Sequence, residues 1–213
     1  MSAGDISGTT IEGGTDGTLV GNTGDRLKVD ANFSAPPTVA EREFPTFTVY
    51  VTNIAPGNNK SMLSLLNASG STVVIRLREI RIINVQTTAV TGVMNTFDLL
   101  RMTGHSAGTS ITPAAHDSTD SLNVAVTART GGTISGEVAG PLRRWKYSSD
   151  EHGVGAQDVQ SMNAVMQYAS PLYQPISKTK PITLNANQGI HIKQTVNTTV
   201  GTFDLMFVFT QES

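Results

Sequence analysis

Apolar residues recur at every second position in one segment after another, and this period narrows the possible folds more than any other feature of the chain. In TFDLMFVFT (202–210), Phe203, Leu205, Phe207 and Phe209 share one face, with Asp204, Met206, Val208 and Thr210 opposite. TFTVYVTN (46–53) repeats the pattern through Phe47, Val49 and Val51, and LNVAVTA (122–128) through Leu122, Val124 and Val126. MLSLLN (62–67) and TFDLLRMT (96–103) read as further strands, and ITLNANQGIHIKQT (182–195) as a hairpin around Asn185–Gly189. The run TVVIRLREIRIINVQ (72–86) is a long β-branched strand whose alternation slips between Leu77 and Ile80, the mark of a bulge or of a strand passing between two sheet environments. Turn residues separate these runs, as in IAPGNNKS and Ala68–Ser71. Seven or eight short strands of this kind predict an all-β protein, an antiparallel β-sandwich of jelly-roll type. Only AQDVQSMNAVMQYAS (156–170) has helical spacing, and it reads equally well as a short helix or an irregular insertion.

The first 40 residues are of another kind. Gly, Thr, Ser and Asp dominate, and the apolar residues are few: Ile6, Ile11, Leu19, Val20, Leu27, Val29 and Phe33. Such a segment can bury little by itself, so 1–40 reads as an extended arm and 41–213 as the sandwich domain. No apolar run of signal-peptide length opens the chain, and no window suits a membrane span, which predicts a soluble protein not exported by an ordinary cleaved signal.

Composition excludes several chemistries. The chain has no cysteine, so disulfides, thiolate nucleophiles and Cys-based zinc sites are absent. With a net charge of -2, it lacks the bulk positive charge that draws proteins to nucleic acid or to anionic membranes. Its 28 threonines, set against a low charged fraction of 15%, favour strands over helices.

Four motifs invite a functional reading. GHSAG (104–108) matches the G-x-S-x-G nucleophile elbow, with Ser106 followed by Asp117 or Asp120 and then His152 or His191. The helix that an elbow requires after its serine is missing from TSITPAAHDSTDS, so a Gly/Ser loop between strands is the better account. The histidines His105, His116, His152 and His191 are too scattered for a metal site, which needs three or more convergent ligands. Asp117 and Asp120 are spaced for Asx-turns rather than for a carboxylate pair across a substrate cleft. The sequons at Asn32, Asn67 and Asn197 reflect the Ser/Thr-rich composition. No catalytic residue, cofactor site or metal site is expected.

Two basic clusters remain. IRLREIRI places Arg76 and Arg78 on one strand face, with Glu79 and Arg81 on the other. GPLRRWKY gathers Arg143, Arg144, Trp145, Lys146 and Tyr147, an Arg/aromatic set of the type enriched at protein interfaces and able to stack on sugar. A subunit interface is expected there, through Arg143, Arg144, Trp145 and Tyr147; plain surface ranks second and glycan contact third.

DGTLVGNTGDRLKVD (16–30) resembles the DGT-x-IGN-x-GD-x-LKV openings of virion-associated proteins of tailed bacteriophages. The remainder is similar to them as well, in LLNASGSTVVIRLREIRI, in the strand TFDLLRMT, in the loop GTSITPAAHDS and in the Pro181–Ile192 stretch. These are turn and strand signatures that cover most of the chain and carry no catalytic residues. The resemblance implies a non-enzymatic jelly-roll virion component assembled in the host cytoplasm. A capsid decoration or cement protein is the first expectation, docking through Leu19, Leu27 and Val29 of its arm. A fibre or tail component binding a host receptor or glycan through its loops is the alternative. The partners implied are further copies of the chain, commonly a trimer, and virion proteins such as the major capsid protein, with no nucleic acid and no membrane.

Overall fold

The computed structural model describes residues 12–13, 18–19, 43–86, 94–148, 171–176, 179–195 and 200–213 of the chain. The chain divides into two units, Met1–Arg42 and Glu43–Ser213. The first contains two short strands, β1 (Glu12–Gly13) and β2 (Thr18–Leu19), paired antiparallel with Glu12 opposite Leu19.

The second unit is an antiparallel β-sandwich. Eight of its strands have five residues or more: β3 (Thr46–Ile54), β4 (Ser61–Asn67), β5 (Val74–Asn84), β6 (Met94–Met102), β10 (Val126–Thr130), β12 (Arg143–Ser148), β14 (Gln188–Gln194) and β15 (Phe203–Glu212). The short strands are β7 (Gly104–Ser106), β8 (Thr109–Ile111), β9 (Ala114–Ala115), β11 (Thr133–Ser135) and β13 (Thr183–Leu184). One sheet has the order β12-β6-β14-β4-β10-β8, the other β13-β5-β15-β3-β9, and β7 with β11 forms a separate pair. From β3 to β6 and from β12 to β15, each strand lies in the opposite sheet from the one before it. No helix occurs among the described residues, and the 156–170 segment lies outside them.

The period-two faces meet between the sheets. Phe47, Val49, Phe203, Leu205, Phe207 and Phe209 from one sheet are buried against Phe97, Leu99, Leu63, Leu65, Ile190 and Ile192 from the other. Phe97 and Phe203 join the two sheets edge to face, with ring centroids 5.0 Å apart, and Tyr147 packs against both. Phe47 stacks on Phe209 at 5.7 Å. Each fully buried ring or branched chain of this sort contributes about 1.5–3 kcal/mol relative to exposure, so this double row supplies the cohesion of the sandwich.

The slip in β5 is a bulge. Val208 pairs with Glu79 and Phe209 with Leu77, which leaves Arg78 as the extra residue. The inserted residue restores the inward phase of Ile80 and Ile82 and corrects the assignment of the charges. Arg76, Arg78, Glu79 and Arg81 all lie on the outer face rather than on two opposite faces. There Arg76 and Arg78 contact Glu212, Arg78 also bonds Thr210, and Arg81 pairs with Glu79.

Two other expectations are corrected. The 182–195 segment is not a hairpin, because β13 pairs with β5 while β14 pairs with β4 and β6. Its Asn-rich turn, with Asn187 at φ 62°, is a corner that carries the chain from one sheet to the other. Likewise, the strand expected over 122–128 starts only at Val126. Asn123 makes an Asx-turn, its Oδ1 accepting from Ala125 N and its carbonyl from Val126 N, and Val124 is left 97% exposed.

Candidate functional site

The outer faces of the two sheets differ, and each holds one group of candidate residues. On the six-stranded sheet, β4 is buried along its whole length, although only one side of it can face the sandwich interior. The second cover is the β7–β11 pair and the residues just after it. Leu66, Leu100 and Met102 are buried outside the central core cluster. His105 of β7 reaches down between strands, its Nδ1 2.8 Å from Ser64 Oγ and its Nε2 2.9 Å from Thr127 Oγ1. Ser64 donates onward to the carbonyl of Arg129. Burial, reinforced by the nearby Arg129 guanidinium, pushes His105 down to about 4, so the ring is neutral at neutral pH.

A second histidine lies in the same seam. His191 of β14 is 1% exposed, its Nδ1 3.3 Å from Ser61 Oγ and its Nε2 3.0 Å from Glu137 Oε2. The Glu137 contact lacks hydrogen-bond alignment, leaving Nε2 without a properly placed acceptor. Lys193 bonds both oxygens of Glu137, at 2.8 and 3.1 Å. Burial lowers His191 first and Lys193 adds to the effect, while Glu137 opposes it. Ser61, His191 and Glu137 thus line up as a serine–histidine–carboxylate row. The serine is buried, however, and the row contributes to neither described cleft. The arrangement fastens the cover to the sheet.

GHSAG belongs to this cover. His105 and Ser106 lie in β7, and Ala107 and Gly108 take φ of 51° and 64°, the signs of a type I′ turn. A Cβ on Gly108 would stand 2.3 Å from the Thr130 carbonyl, so the glycine is required where that backbone passes. Strand β8 follows instead of a helix, so the serine sits in a strand–turn–strand unit rather than an elbow.

On the five-stranded sheet no second layer lies over the outer face among the described residues. A cleft of about 610 Å³ lies at one end, where Glu43, Phe44 and Thr46 enter β3, alongside Arg78, His116, Asp117 and Asp120. The Asp117–Asp120 loop folds as Asx-turn chemistry predicts. Asp117 Oδ1 accepts from Thr119 N at 2.9 Å and from its hydroxyl at 2.8 Å, and Asp120 N donates to the Asp117 carbonyl. The backbone bond, then the hydroxyl, holds the Asp117 carboxyl below its ordinary value. His116 closes the loop onto β3 through Thr48 Oγ1 at 2.8 Å. Among the described residues, no three His, Asp or Glu side chains converge as metal ligands. The cleft sets the Arg78 guanidinium among the carboxylates of Glu43, Asp117 and Asp120 and the His116 ring.

The expected interface residues separate. β12 is an edge strand whose alternation directs Tyr147 into the core, where burial pushes its hydroxyl up to about 12. Tyr147 therefore presents almost no surface of its own to a partner. Trp145 is half-buried against the core, and Arg143 lies 5.9 Å over the Tyr173 ring. Arg144, on the opposite side, forks onto buried Asp98 at 2.6 and 2.7 Å. Leu19 lies in β2, and Leu27, Val29 and His152 lie outside the described residues. What the motif reading missed is the polar seam. Its signal is a serine or histidine at the outer beat of an otherwise apolar strand, as in MLSLLN and GIHIK.

No protein-family model, no curated protein and no solved structure matches the chain.

Proposed function

We propose that the chain is a non-enzymatic virion structural protein, a capsid decoration or cement protein of tailed-bacteriophage type. Residues 1–40 would dock it to the major capsid protein and to further copies of itself. One observation carries this reading: Glu43–Ser213 is a compact unit of its own, whose two sheets enclose side chains running from Phe47 to Phe209. A Gly/Thr-rich segment of this kind is suited to strand addition, in which main-chain hydrogen bonds supply affinity and alternate side chains such as Leu19, Leu27 and Val29 fill pockets. Ordering such a segment costs about 1–2 kcal/mol per residue, a cost that assembly on a symmetric particle offsets through many simultaneous contacts. The jelly-roll reading of the sandwich is supported by the crossing of consecutive strands between its sheets.

Deleting residues 1–40 is expected to leave a folded sandwich, with an unchanged β-type circular dichroism spectrum, that no longer binds particles in a sedimentation assay. Full occupancy by the truncated protein would overturn the docking role. The fibre reading has the half-buried, edge-strand Trp145 in its favour. In the same assay Trp145→Ala should keep particle binding; normal assembly combined with lost adsorption to host cells would favour the fibre.

A further inference from the structure

A second cleft, of about 580 Å³, opens where the chain turns the corner between the sheets. Its charge is one-sided. Arg76 comes from β5, Arg101 from the end of β6 and Lys180 from the segment that enters β13, while among the described residues no acidic side chain lines it. On a chain with net charge -2, three cations converge here from three elements, and of the three only Arg76 has a carboxylate partner, Glu212, among the described residues.

Two of the cations have structural partners that leave donors over. Arg101 gives one N–H to the Thr183 carbonyl at 2.8 Å, and Arg76 gives its Nε to Glu212 at 2.6 Å. A guanidinium has five N–H donors in a planar fork, so both retain donors for a ligand. Lys180 is exposed and has neither a hydrogen bond nor an ion pair with a described residue. Gln188 accepts from Asn185 N through Oε1, which leaves its amide Nε2 as a further donor. Ile182 and Val74 supply an apolar wall beside this donor set.

We propose that this cleft binds a phosphate group, with Arg76, Arg101 and Lys180 as its ligands. Forked guanidinium donors match the oxygens of a phosphate, and Arg101 and Lys180, whose charges have no carboxylate partner among the described residues, answer a dianion better than the single charge of a carboxylate, with Arg76 adding its remaining N–H donors. The apolar wall suits the carbon skeleton of a phosphate ester. Phosphate chemistry of this kind is supplied by a phosphorylated saccharide or by the free ion, and the two are distinguishable. The proposal stands apart from the virion reading, since it rests on the sandwich alone.

The test is a nuclear magnetic resonance titration of the full chain at fixed ionic strength, with sodium phosphate, glucose 1-phosphate and sodium chloride as separate titrants. Phosphate is expected to shift the backbone amides of 180–188 saturably, with a millimolar Kd. Lys180→Glu should weaken binding by about tenfold or more, and Lys146→Gln, on exposed β12, should leave it unchanged. Because Lys180 is exposed and makes no hydrogen bond or ion pair with a described residue, its variant is expected to keep the fold, which an unchanged β-type circular dichroism spectrum checks. Tighter binding of glucose 1-phosphate than of phosphate would assign the cleft to a phosphorylated saccharide; equal binding would assign it to the free ion. Non-saturating shifts, the same shifts with chloride, or a Lys180→Glu protein that binds as before would each overturn the proposal.

Discussion

The outer faces of the two sheets start from the same kind of sequence, apolar beats alternating with polar ones, and end in opposite environments. On the five-stranded sheet the polar beats are long and charged: Arg76, Arg78, Glu79 and Arg81 lie along the surface and pair with one another or with Glu212. On the six-stranded sheet those beneath the β7–β11 cover are short or only weakly basic, namely Ser61, Ser64, Thr127 and His191, while the charged ones, Asp98 and Lys193, are held by Arg144 and Glu137. The difference lies in what desolvation permits. A serine or a neutral imidazole can be buried if it finds one or two hydrogen-bond partners, whereas a guanidinium needs water or a carboxylate. Covering one face gives the sandwich a partial third layer and makes that face sensitive both to packing and to protons.

The sharpest way to break the contrast is to cut an apolar side chain from the covered face. Leu100 lies outside the central core, yet it is buried beneath the cover. Leu100→Ala is expected to cost about 2–3 kcal/mol, the lower part of the range for buried leucine, because a two-stranded cover can settle into the space. Val208→Ala, on the open face, should cost well under half as much. Urea unfolding of both variants checks the comparison, and equal losses would mean that the cover does not act as a packed layer.

Protons separate the faces next. His105 is held down to about 4 and His191 is also lowered, so both are neutral in the folded chain while their unfolded counterparts titrate near 6.5. Between those values the unfolded state binds more protons than the folded state. The contribution of His105 to stability is therefore complete above about pH 6.5 and declines as the pH falls toward 4, and His191, lowered chiefly by burial, acts in the same direction. Once the intrinsic pH dependence of exchange is divided out, the protection of the β7 and β11 amides should fall between pH 6.5 and 5, ahead of that of the β3 and β15 amides. His105→Gln should weaken that fall, the intrinsic dependence being treated in the same way. An unchanged pH response in a His105→Gln, His191→Gln double variant would remove the histidines as its source.

The inner faces were legible because one period suffices to place them: Phe47 to Val51 and Phe203 to Phe209 are buried as their alternation requires. The bulge was legible for the same reason, since Leu77 and Ile80 cannot both face inward in a regular strand. Pairing partners were not. Nothing local in ITLNANQGIHIKQ distinguishes a hairpin from a corner, because that depends on which distant edges, β5 or β4, receive the two arms. The seam was hidden for a related reason. Ser64 and His105 are 41 residues apart, and only the return of β11 over the sheet brings the cover down on them. The basic cleft likewise joins Arg76, Arg101 and Lys180 across three elements, so no single stretch of sequence marks it.

The smallest expected effect tests the open face. Glu79 and Arg81 are neighbours two positions apart on the outside of β5, with side chains about one-fifth and one-quarter exposed. Their attraction is screened by water and salt and is offset by the entropy of holding two long side chains together. Glu79→Gln keeps the shape and removes the charge, so it should change stability by no more than about 1 kcal/mol, with the difference shrinking further in 1 M salt. The buried Leu100 site should show no such salt sensitivity, because its contribution is apolar. Thermal unfolding at low and high salt makes the comparison directly. If Glu79→Gln cost as much as Leu100→Ala, the Glu79–Arg81 pair would have to be shielded from water, and the open face would need a cover of its own.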